Sequence, residues 1–189
     1  MKIKKTNEFF ILLIGAILFV FSYRFDVQVS SFFENVKFPI IDPILGIITN
    51  FSVVIVLALV IPSIILYKKN RKKVYLLWLS FIVSVALAFI IKLIFLRQRP
   101  IEAFTFPLTN IIDYSFPSMH AMAVFSLLPL LLKYIPKHRL FWVIFAFLTA
   151  FSRIYFRFHF LSDVIFGAFA GYFVGSLVLH LDEKGKLWK

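Results

Sequence analysis

The chain has 189 residues, of which 61% are hydrophobic and 19% aromatic, and its mean hydropathy is +0.93. A soluble domain of this length could not bury so much apolar surface in one core, so the composition predicts an integral membrane protein. The formal charge of +12 comes from short basic runs between apolar segments. Those runs form no continuous basic face, which argues against a nucleic-acid partner. The chain has no cysteine, which excludes disulfides and thiol chemistry.

The first apolar run, residues 9–23, follows three lysines. Its charge and length suit a signal peptide, but no small-x-small cleavage site follows it. We therefore expect an uncleaved membrane helix with its N-terminus in the cytoplasm. Residues 25–36 then place apolar side chains at helical spacing, while Asp26, Ser30 and Glu34 are among those filling the other face. This pattern predicts a short helix lying on the outer membrane surface.

Five more apolar segments follow, and together with the first they predict an all-α, polytopic protein with six transmembrane helices. They cover residues 44–67, 74–96, 119–135, 140 to about 155, and 160–181. Pro62 is expected to kink the second helix. Thr49 and Asn50 in that helix are expected to make hydrogen bonds between helices. We treat residues 1–189 as one domain with an active-site core at about 86–175.

Basic residues set the orientation of this six-helix arrangement. It places 14 of the 21 Lys and Arg residues on one side and 7 on the other. Because cytoplasmic loops are enriched in Lys and Arg, both termini are expected in the cytoplasm of a multi-pass cell-membrane protein. The ends of the third and fifth helices then meet the starts of the fourth and sixth at the extracytoplasmic side.

Four polar features, far apart in sequence, converge at that side. They are Lys92 with Arg99-Pro100, Pro117-Ser118-Met119-His120, Ser152-Arg153, and His159 with Asp163. Each has an ordinary interpretation: a snorkelling cation, a helix-start proline, a topology charge, an interfacial histidine capped by an aspartate. Together they place three cations, two imidazoles, a hydroxyl and a carboxylate at one membrane depth, where ionisable groups are costly and mark functional sites.

Three fixed cations at a helix N-terminus suit an anion with several oxygens, and phosphate is the commonest such group. Lys92 and Arg99 are seven residues apart, two helical turns, and can share a face of the third helix, which Pro100 ends. Ser118 and the first amides of the fourth helix add donors. Two histidines and an aspartate could also bind a metal ion, but the surrounding cations would repel it, so we expect no metal and no cofactor.

Two histidines beside a phosphate suggest different roles. If the sixth helix begins near Phe158, His159 and Asp163 stand at i and i+4, and the carboxylate can fix the tautomer of the imidazole. His159 is then the nucleophile that attacks phosphorus, and His120 gives a proton to the leaving oxygen and later activates water. Lys92, Arg99 and Arg153 would stabilise the charge on the phosphoryl oxygens.

At these residues the chain resembles the type 2 phosphatidic acid phosphatase family of the haloperoxidase-like superfamily. The family pattern is Lys-x6-Arg-Pro, Pro-Ser-Gly-His, and Ser-Arg-x5-His-x3-Asp. The resemblance implies six membrane helices, no metal, phosphate contacts from Lys92, Arg99, Ser118 and Arg153, and catalytic roles for His120, His159 and Asp163. Met119 departs from the pattern, because it stands where the family has glycine.

The expected substrate is a lipid phosphate drawn from the surrounding membrane lipids, since the site opens beside an apolar outer loop. The resemblance favours a polyprenyl diphosphate phosphatase of the undecaprenyl type. A phosphatidylglycerophosphate or phosphatidic acid phosphatase is the near alternative. A lipid phosphotransferase, or a catalytically silent anion-binding membrane protein, is the alternative of another class.

Overall fold

The computed structural model describes residues 5–101 and 114–187, with side chains from residue 13 onward. The chain is helical throughout these ranges, which confirms the predicted all-α class. Nine α-helices, here α1 to α9, run in chain order within the described ranges: Lys5–Tyr23, Asp26–Asn35, Asp42–Ile48, Phe51–Ile55, Ile61–Tyr67, Arg71–Phe95, Met119–Tyr134, Arg139–Tyr155 and Leu161–Glu183. A π-helical turn, Val56–Val60, joins α4 to α5, and a 3-10 turn, Pro136–His138, precedes α8.

The helices suit a multi-pass membrane protein. In the described ranges, α6 and α9 are each long and apolar enough to cross a membrane alone, and counting each bent pair as one crossing gives up to five. The bent pairs are α1 with α2 at 62°, α3 with the α4–α5 segment at 63°, and α7 with α8 at 120°. The expected six crossings therefore stay a prediction.

Helix α7 is the central element of the bundle. Its residues from Ala121 to Leu131 are all buried, as expected of a helix that is apolar on every side. Two of its backbone oxygens, those of Met122 and Ser126, accept hydrogen bonds from Ser84 and Ser80 of α6, at 2.9 and 2.8 Å. These bonds fix α6 against the start of α7, where the predicted site residues lie.

Helix α9 approaches α7 closely along a stripe of glycines. A Cβ atom added at Gly167 would lie 2.8 Å from the Ser118 oxygen. Cβ atoms at Gly171 and Gly175 would overlap the oxygens of Met122 and Ser126. Glycines spaced four residues apart lie on one face of a helix, and here that face admits the neighbouring helix.

The second predicted helix, residues 44–67, is interrupted near its start. The 63° bend falls between α3 and α4, at Thr49 and Asn50, and not at Pro62. Asn50 caps α4, since its Oδ1 accepts from the backbone of Ser52 at 2.9 Å. Pro62 is the second residue of α5 and comes two positions after the π-helical turn. The wider backbone of that turn accommodates the N–H that proline lacks. The break brings the backbone of Thr49 towards the predicted site.

Helix α6 ends close to the predicted boundary at Leu96 but does not continue to Pro100. It stops at Phe95, and Leu96 takes the left-handed conformation at φ 48° that closes many helices. Pro100 is therefore not the terminator, and Arg99 shares no helical face with Lys92. The chain turns back after Leu96, so that the oxygen of Arg97 accepts from the Ser115 amide at 2.6 Å.

Helix α2 is present as predicted, but two residues of its polar face are buried. Asp26 and Ser30 are 3% and 9% exposed, whereas Phe25 and Phe32 are 41% and 54% exposed. The orientation expected from the amphipathic pattern is wrong for these two residues. Asp26 finds its partners at Arg97 and at Ser162 in the first turn of α9, and Ser30 accepts from Arg157 in the turn between α8 and α9. The outer loop predicted at 101–116 lies mainly outside the described residues.

Candidate active site

His159 lies in the turn between α8 and α9, where burial leaves it 3% exposed. Its Nδ1 is 2.7 Å from the Ser115 carbonyl oxygen and 3.9 Å from Oδ2 of Asp163. The predicted direct hydrogen bond to Asp163 is therefore wrong, because α9 begins at Leu161 and leaves His159 outside the helix. Donation from Nδ1 to the Ser115 carbonyl assigns the lone pair to Nε2.

Asp163 is fully buried and bound by three donors. Its Oδ2 accepts from the Ser115 hydroxyl at 2.5 Å and from the Phe160 amide at 2.9 Å, and its Oδ1 accepts from Arg97 at 2.6 Å. Ser115 thus stands between the carboxylate and the imidazole, and its hydroxyl is also 3.5 Å from Nδ1 of His159. The carboxylate reaches the histidine through Ser115.

The three predicted phosphate-binding cations come from three separate parts of the chain. Lys92, in the last turn of α6, is 1% exposed and donates to the carbonyl of Tyr114. Arg99 lies beyond the end of α6, and its Nη1 donates to the Phe158 carbonyl at 3.3 Å. Arg153, in the last turn of α8, is 6% exposed.

Arg153 is held by the break between α3 and α4. Its Nη1 donates to Oγ1 and the carbonyl of Thr49, at 2.6 and 3.2 Å, and its guanidinium lies 4.5 Å from the centre of the Phe158 ring. Its Nε is buried with no hydrogen-bond partner among the described residues. That donor is available to an anion.

The start of α7 supplies two further polar groups. Ser118 precedes α7, and its amide donates to the Asp163 carbonyl at 3.1 Å. Within the described part of the chain, its Oγ and Nε2 of His120 are buried without hydrogen-bond partners. Met119 is the first helical residue of α7. Its conformation is therefore one that needs no glycine, which bears on the departure from the family pattern.

The electrostatic setting favours a neutral His159 at neutral pH. Burial is the main cause that lowers the pKa of His159 well below its ordinary value, and the cations Arg153, Lys92 and Arg99 lower it further. A neutral imidazole has the lone pair that a nucleophile needs. No group of three His, Cys, Asp or Glu side chains within the described ranges is placed to hold a metal ion.

All seven predicted site residues thus lie at one end of the bundle, around the starts of α7 and α9. Sequence reasoning missed four neighbours: Ser115, Thr49, Arg97 and Asp26. The sequence predicts only hydrogen bonds between helices for Thr49, and Arg97 enters only through the count of basic residues that sets the orientation. The sequence contains a signal for two of the four. Asp26 is a carboxylate close behind the apolar run 9–23, and Arg97 is a cation two residues before Arg99.

Comparisons with known proteins identify the family. The family model of the PAP2 superfamily matches residues 73–186. A Sulfolobus acidocaldarius protein named undecaprenyl-diphosphatase is 30% identical over 132 residues, which cover 67% of this chain and 63% of that protein.

A solved structure shares the overall architecture. The crystal structure of a transmembrane PAP2-type phosphatidylglycerolphosphate phosphatase from Bacillus subtilis superposes with a TM-score of 0.75 over 96% of this chain and 98% of that chain. Sequence identity is 23%, so this likeness concerns the fold. The family match covers more than half of the chain and includes every predicted site residue, and the chain therefore belongs to the PAP2 superfamily.

Proposed function

We propose that this protein is a metal-independent phosphatase of membrane lipid phosphates or diphosphates that works through a phosphohistidine. The observation that carries the proposal is the buried His159, with Nδ1 bound to a backbone carbonyl, beside cations from three separate parts of the chain. Superfamily membership and the names of both relatives support a lipid phosphatase.

In the first step, Nε2 of His159 attacks phosphorus and the bond from phosphorus to the leaving oxygen breaks. Lys92, Arg99 and Arg153 stabilise the charge on the phosphoryl oxygens, and the Ser118 hydroxyl adds a donor. His120 protonates the leaving oxygen through Nε2, which has no partner among the described residues. The Nδ1–H of His159 stays on the Ser115 carbonyl, so the positive charge that forms on the ring is stabilised there.

In the second step, water attacks the phosphohistidine, and the bond from phosphorus to Nε2 breaks. His120, which lost its proton in the first step, now accepts one from the water. The products are inorganic phosphate and the lipid alcohol, or the lipid monophosphate when the substrate is a diphosphate. The site needs no metal ion, since side-chain cations supply the positive charge.

Within the proposal, a polyprenyl diphosphate of the undecaprenyl type is the preferred substrate. The printed name of the Sulfolobus relative supports this choice. An apolar cavity of about 680 Å³ between α1, α7, α8 and α9 offers room for part of a lipid chain. Its lining includes Ile154 and Val164, which directly follow Arg153 and Asp163 in sequence, so the cavity reaches the level of the proposed site.

Phosphate release from a substrate panel tests the proposal. Purified protein in detergent would be given a polyprenyl diphosphate, phosphatidylglycerophosphate and phosphatidic acid, each with EDTA present. We expect the highest kcat/KM for the diphosphate, and acid-labile phosphate trapped on the wild type but absent from His159→Ala. Full activity of His159→Ala, or a strict need for a divalent ion, would contradict the mechanism.

The same assay separates the other classes. Phosphate transferred to a lipid acceptor in place of water would identify a phosphotransferase. Phosphate bound by the protein, with no turnover of any lipid in the panel, would identify a catalytically silent anion-binding protein. A higher kcat/KM for a glycerophospholipid phosphate than for the diphosphate would show that the preferred substrate is the glycerophospholipid phosphate, while the proposed phosphatase mechanism would still hold.

A further inference from the structure

Arg97, which is not among the predicted site residues, joins two buried carboxylates. Its Nη1 is 2.6 Å from Oδ1 of Asp163, and its Nη2 is 2.7 Å from Oδ2 of Asp26. The side chains of these carboxylates are 0% and 3% exposed. The guanidinium also lies near the rings of Tyr23 and Phe160, 5.2 and 4.2 Å from their centres. These contacts fix the orientation of the planar Arg97 guanidinium. A lysine ammonium could not make the same set of contacts.

Asp26 ties α2 to the first turn of α9. Its Oδ1 accepts from the amide of Ser162 at 2.8 Å, and its Oδ2 accepts from the Ser162 hydroxyl at 2.5 Å. The same hydroxyl accepts from Nη1 of Arg97 at 2.8 Å. Asp26, Arg97 and Ser162 therefore form one cluster of hydrogen bonds around Asp163.

This cluster also reaches the proposed nucleophile through Ser115. The backbone oxygen of Arg97 accepts from the Ser115 amide at 2.6 Å. Ser115 in turn accepts from Nδ1 of His159 with its carbonyl and donates to Asp163 with its hydroxyl. Arg97 therefore contacts both groups that orient the imidazole. Its guanidinium binds the Asp163 carboxylate, and its backbone oxygen accepts from the Ser115 amide.

We propose that Arg97 and Asp26 are positioning residues that hold Asp163 and Ser115 in the orientation required by His159. The inference rests on the proposed phosphatase function. No described contact joins either side chain to Lys92, Arg99, Ser118 or Arg153, so we expect the loss of either residue to slow the attack at phosphorus and to leave the affinity for phosphate nearly unchanged. A cross-link that served only to attach α2 would instead affect folding.

Asp26→Asn tests the proposal against a matched control on the same helix. Glu34 pairs with Arg157 at 2.9 Å and also ties α2 to the α8–α9 turn, but its side chain is 55% exposed. We expect Asp26→Asn to lower kcat by about 100-fold, the scale of a small misplacement of reacting groups. Phosphoenzyme formation in a single turnover should slow by the same factor. The inhibition constant for inorganic phosphate should not change, and Glu34→Gln should keep the wild-type kcat.

Two further variants decide the matter if Asp26→Asn does not fold. Ser162→Ala keeps all three charges but removes one hydrogen bond to Asp26, and Arg97→Lys keeps the charge but loses the fork. Both should lower kcat with unchanged phosphate inhibition, and their effects should not add in the double variant, because they act through the same carboxylate.

The proposal is overturned if these variants fold and retain the wild-type kcat, if Glu34→Gln loses as much kcat as they do, or if phosphate inhibition weakens in parallel with kcat. Wild-type protein that hydrolyses no lipid phosphate would instead contradict the proposed function.

Discussion

At each of the two imidazoles Nε2 is the nitrogen available for chemistry. For His159, Nδ1 donates to the Ser115 carbonyl, which leaves the lone pair of the neutral ring on Nε2. For His120, Nε2 is buried with no hydrogen-bond partner among the described residues. A backbone carbonyl can only accept a hydrogen bond, so the tautomer of neutral His159 does not change with pH.

The role of His120 as acid predicts a dependence on the leaving group. In His120→Ala the attack by His159 can still occur, but an alkoxide must leave without a proton. We expect turnover of phosphatidic acid to fall by about 10²–10⁴-fold, the usual contribution of a general acid, and turnover of an aryl phosphate to fall much less. The ratio of the two kcat values measures this effect.

His138→Ala is the matched control, because His138 is exposed in the turn before α8. It should leave both kcat values unchanged. An equal loss on both substrates in His120→Ala would show that His120 does not protonate the leaving group.

The lowered pKa of His159 predicts where activity falls in acid. His159 lies in a turn outside the spanning helices, and burial followed by the nearby cations lowers its pKa below the ordinary value of about 6.5. The neutral ring therefore persists at pH 6.5, and the acid limb of kcat/KM should lie below that pH. Because the mechanism needs a neutral His159 and a protonated His120, the profile is expected to be bell-shaped, with limbs that belong to the coupled site and not to either residue alone.

The same shift has a consequence for stability. Above pH 6.5 both the folded and unfolded states have a neutral His159, and it contributes no pH dependence. Below that value the unfolded state binds the proton first, so the free energy of unfolding should decrease as pH falls towards the folded-state pKa.

A kcat/KM profile whose acid limb lies at or above pH 6.5 would contradict the burial of a neutral nucleophile.

At the scale of elements, the site is built where α7 and α9 come closest. The glycines of α9 let its first turns lie against the backbone of α7, and the Ser118 amide bonds to the Asp163 carbonyl across that contact. Serines of α6 donate to the same two α7 oxygens, those of Met122 and Ser126, that the glycines of α9 approach. The positions of Lys92, Ser118 and Asp163 therefore depend on helix contacts that small side chains permit.

Gly171→Leu should destabilise the bundle before it alters chemistry. A Cβ at Gly171 would overlap the backbone of Met122, and a leucine would force the two helices apart. Overpacking of this kind costs about 1–3 kcal/mol or more. We expect a lower midpoint of thermal unfolding in detergent. Gly46→Leu in α3 is the control, since a Cβ there meets nothing within 4 Å, and equal midpoints for the two variants would contradict the close approach.

The apolar cavity predicts a change in lipid preference. Ala168 lines the cavity between α8 and α9. In Ala168→Phe the larger side chain should fill part of the cavity and so raise KM for a long-chain polyprenyl diphosphate. KM for a short-chain, water-soluble analogue should stay the same, because its chain does not reach the cavity. Leu177→Phe, at a lipid-exposed position of α9 that does not line the cavity, is the control. An equal effect on both substrates would place the lipid chain elsewhere.

At the scale of the whole molecule, orientation in the membrane decides which leaflet supplies the substrate. The distribution of Lys and Arg predicts cytoplasmic termini and an extracytoplasmic site. Helix α2 should then lie outside and the turn between α5 and α6 inside. Ion pairs between Lys72 and Asp182 at 2.7 Å, and between Lys133 and Glu183 at 2.5 Å, join the turns at the end opposite the site.

Cysteine labelling in intact cells tests this orientation. The chain has no cysteine of its own, so one introduced thiol gives a specific signal. Asn35→Cys, exposed in α2, should react with an impermeant thiol reagent from outside, and Asn70→Cys, exposed before α6, should react only after permeabilisation. The reverse labelling pattern would invert the orientation and move the site to the cytoplasmic leaflet.

Much of the molecule follows from local sequence patterns. Apolar runs and their flanking charges predict α6, α7, α8 and α9 to within three residues at each end, because a membrane helix must satisfy its own backbone hydrogen bonds along an apolar segment. The glycine spacing in α9 predicts the close approach to α7. The three motifs predict the seven candidate site residues, since charges that are costly in a membrane stand out against an apolar chain.

The tertiary structure decided what depends on a distant partner. Helix α6 ends at Phe95 and does not continue to Pro100, and the chain returns so that the Ser115 amide pairs with the oxygen of Arg97. The same return inserts Ser115 between His159 and Asp163, although these two residues are only four positions apart. Asp26 is buried although its own helix has an amphipathic pattern that places it outward, because Arg97, 71 residues away, supplies the opposite charge. Burial of a carboxylate is stable only with its partner present, and no local pattern contains that partner.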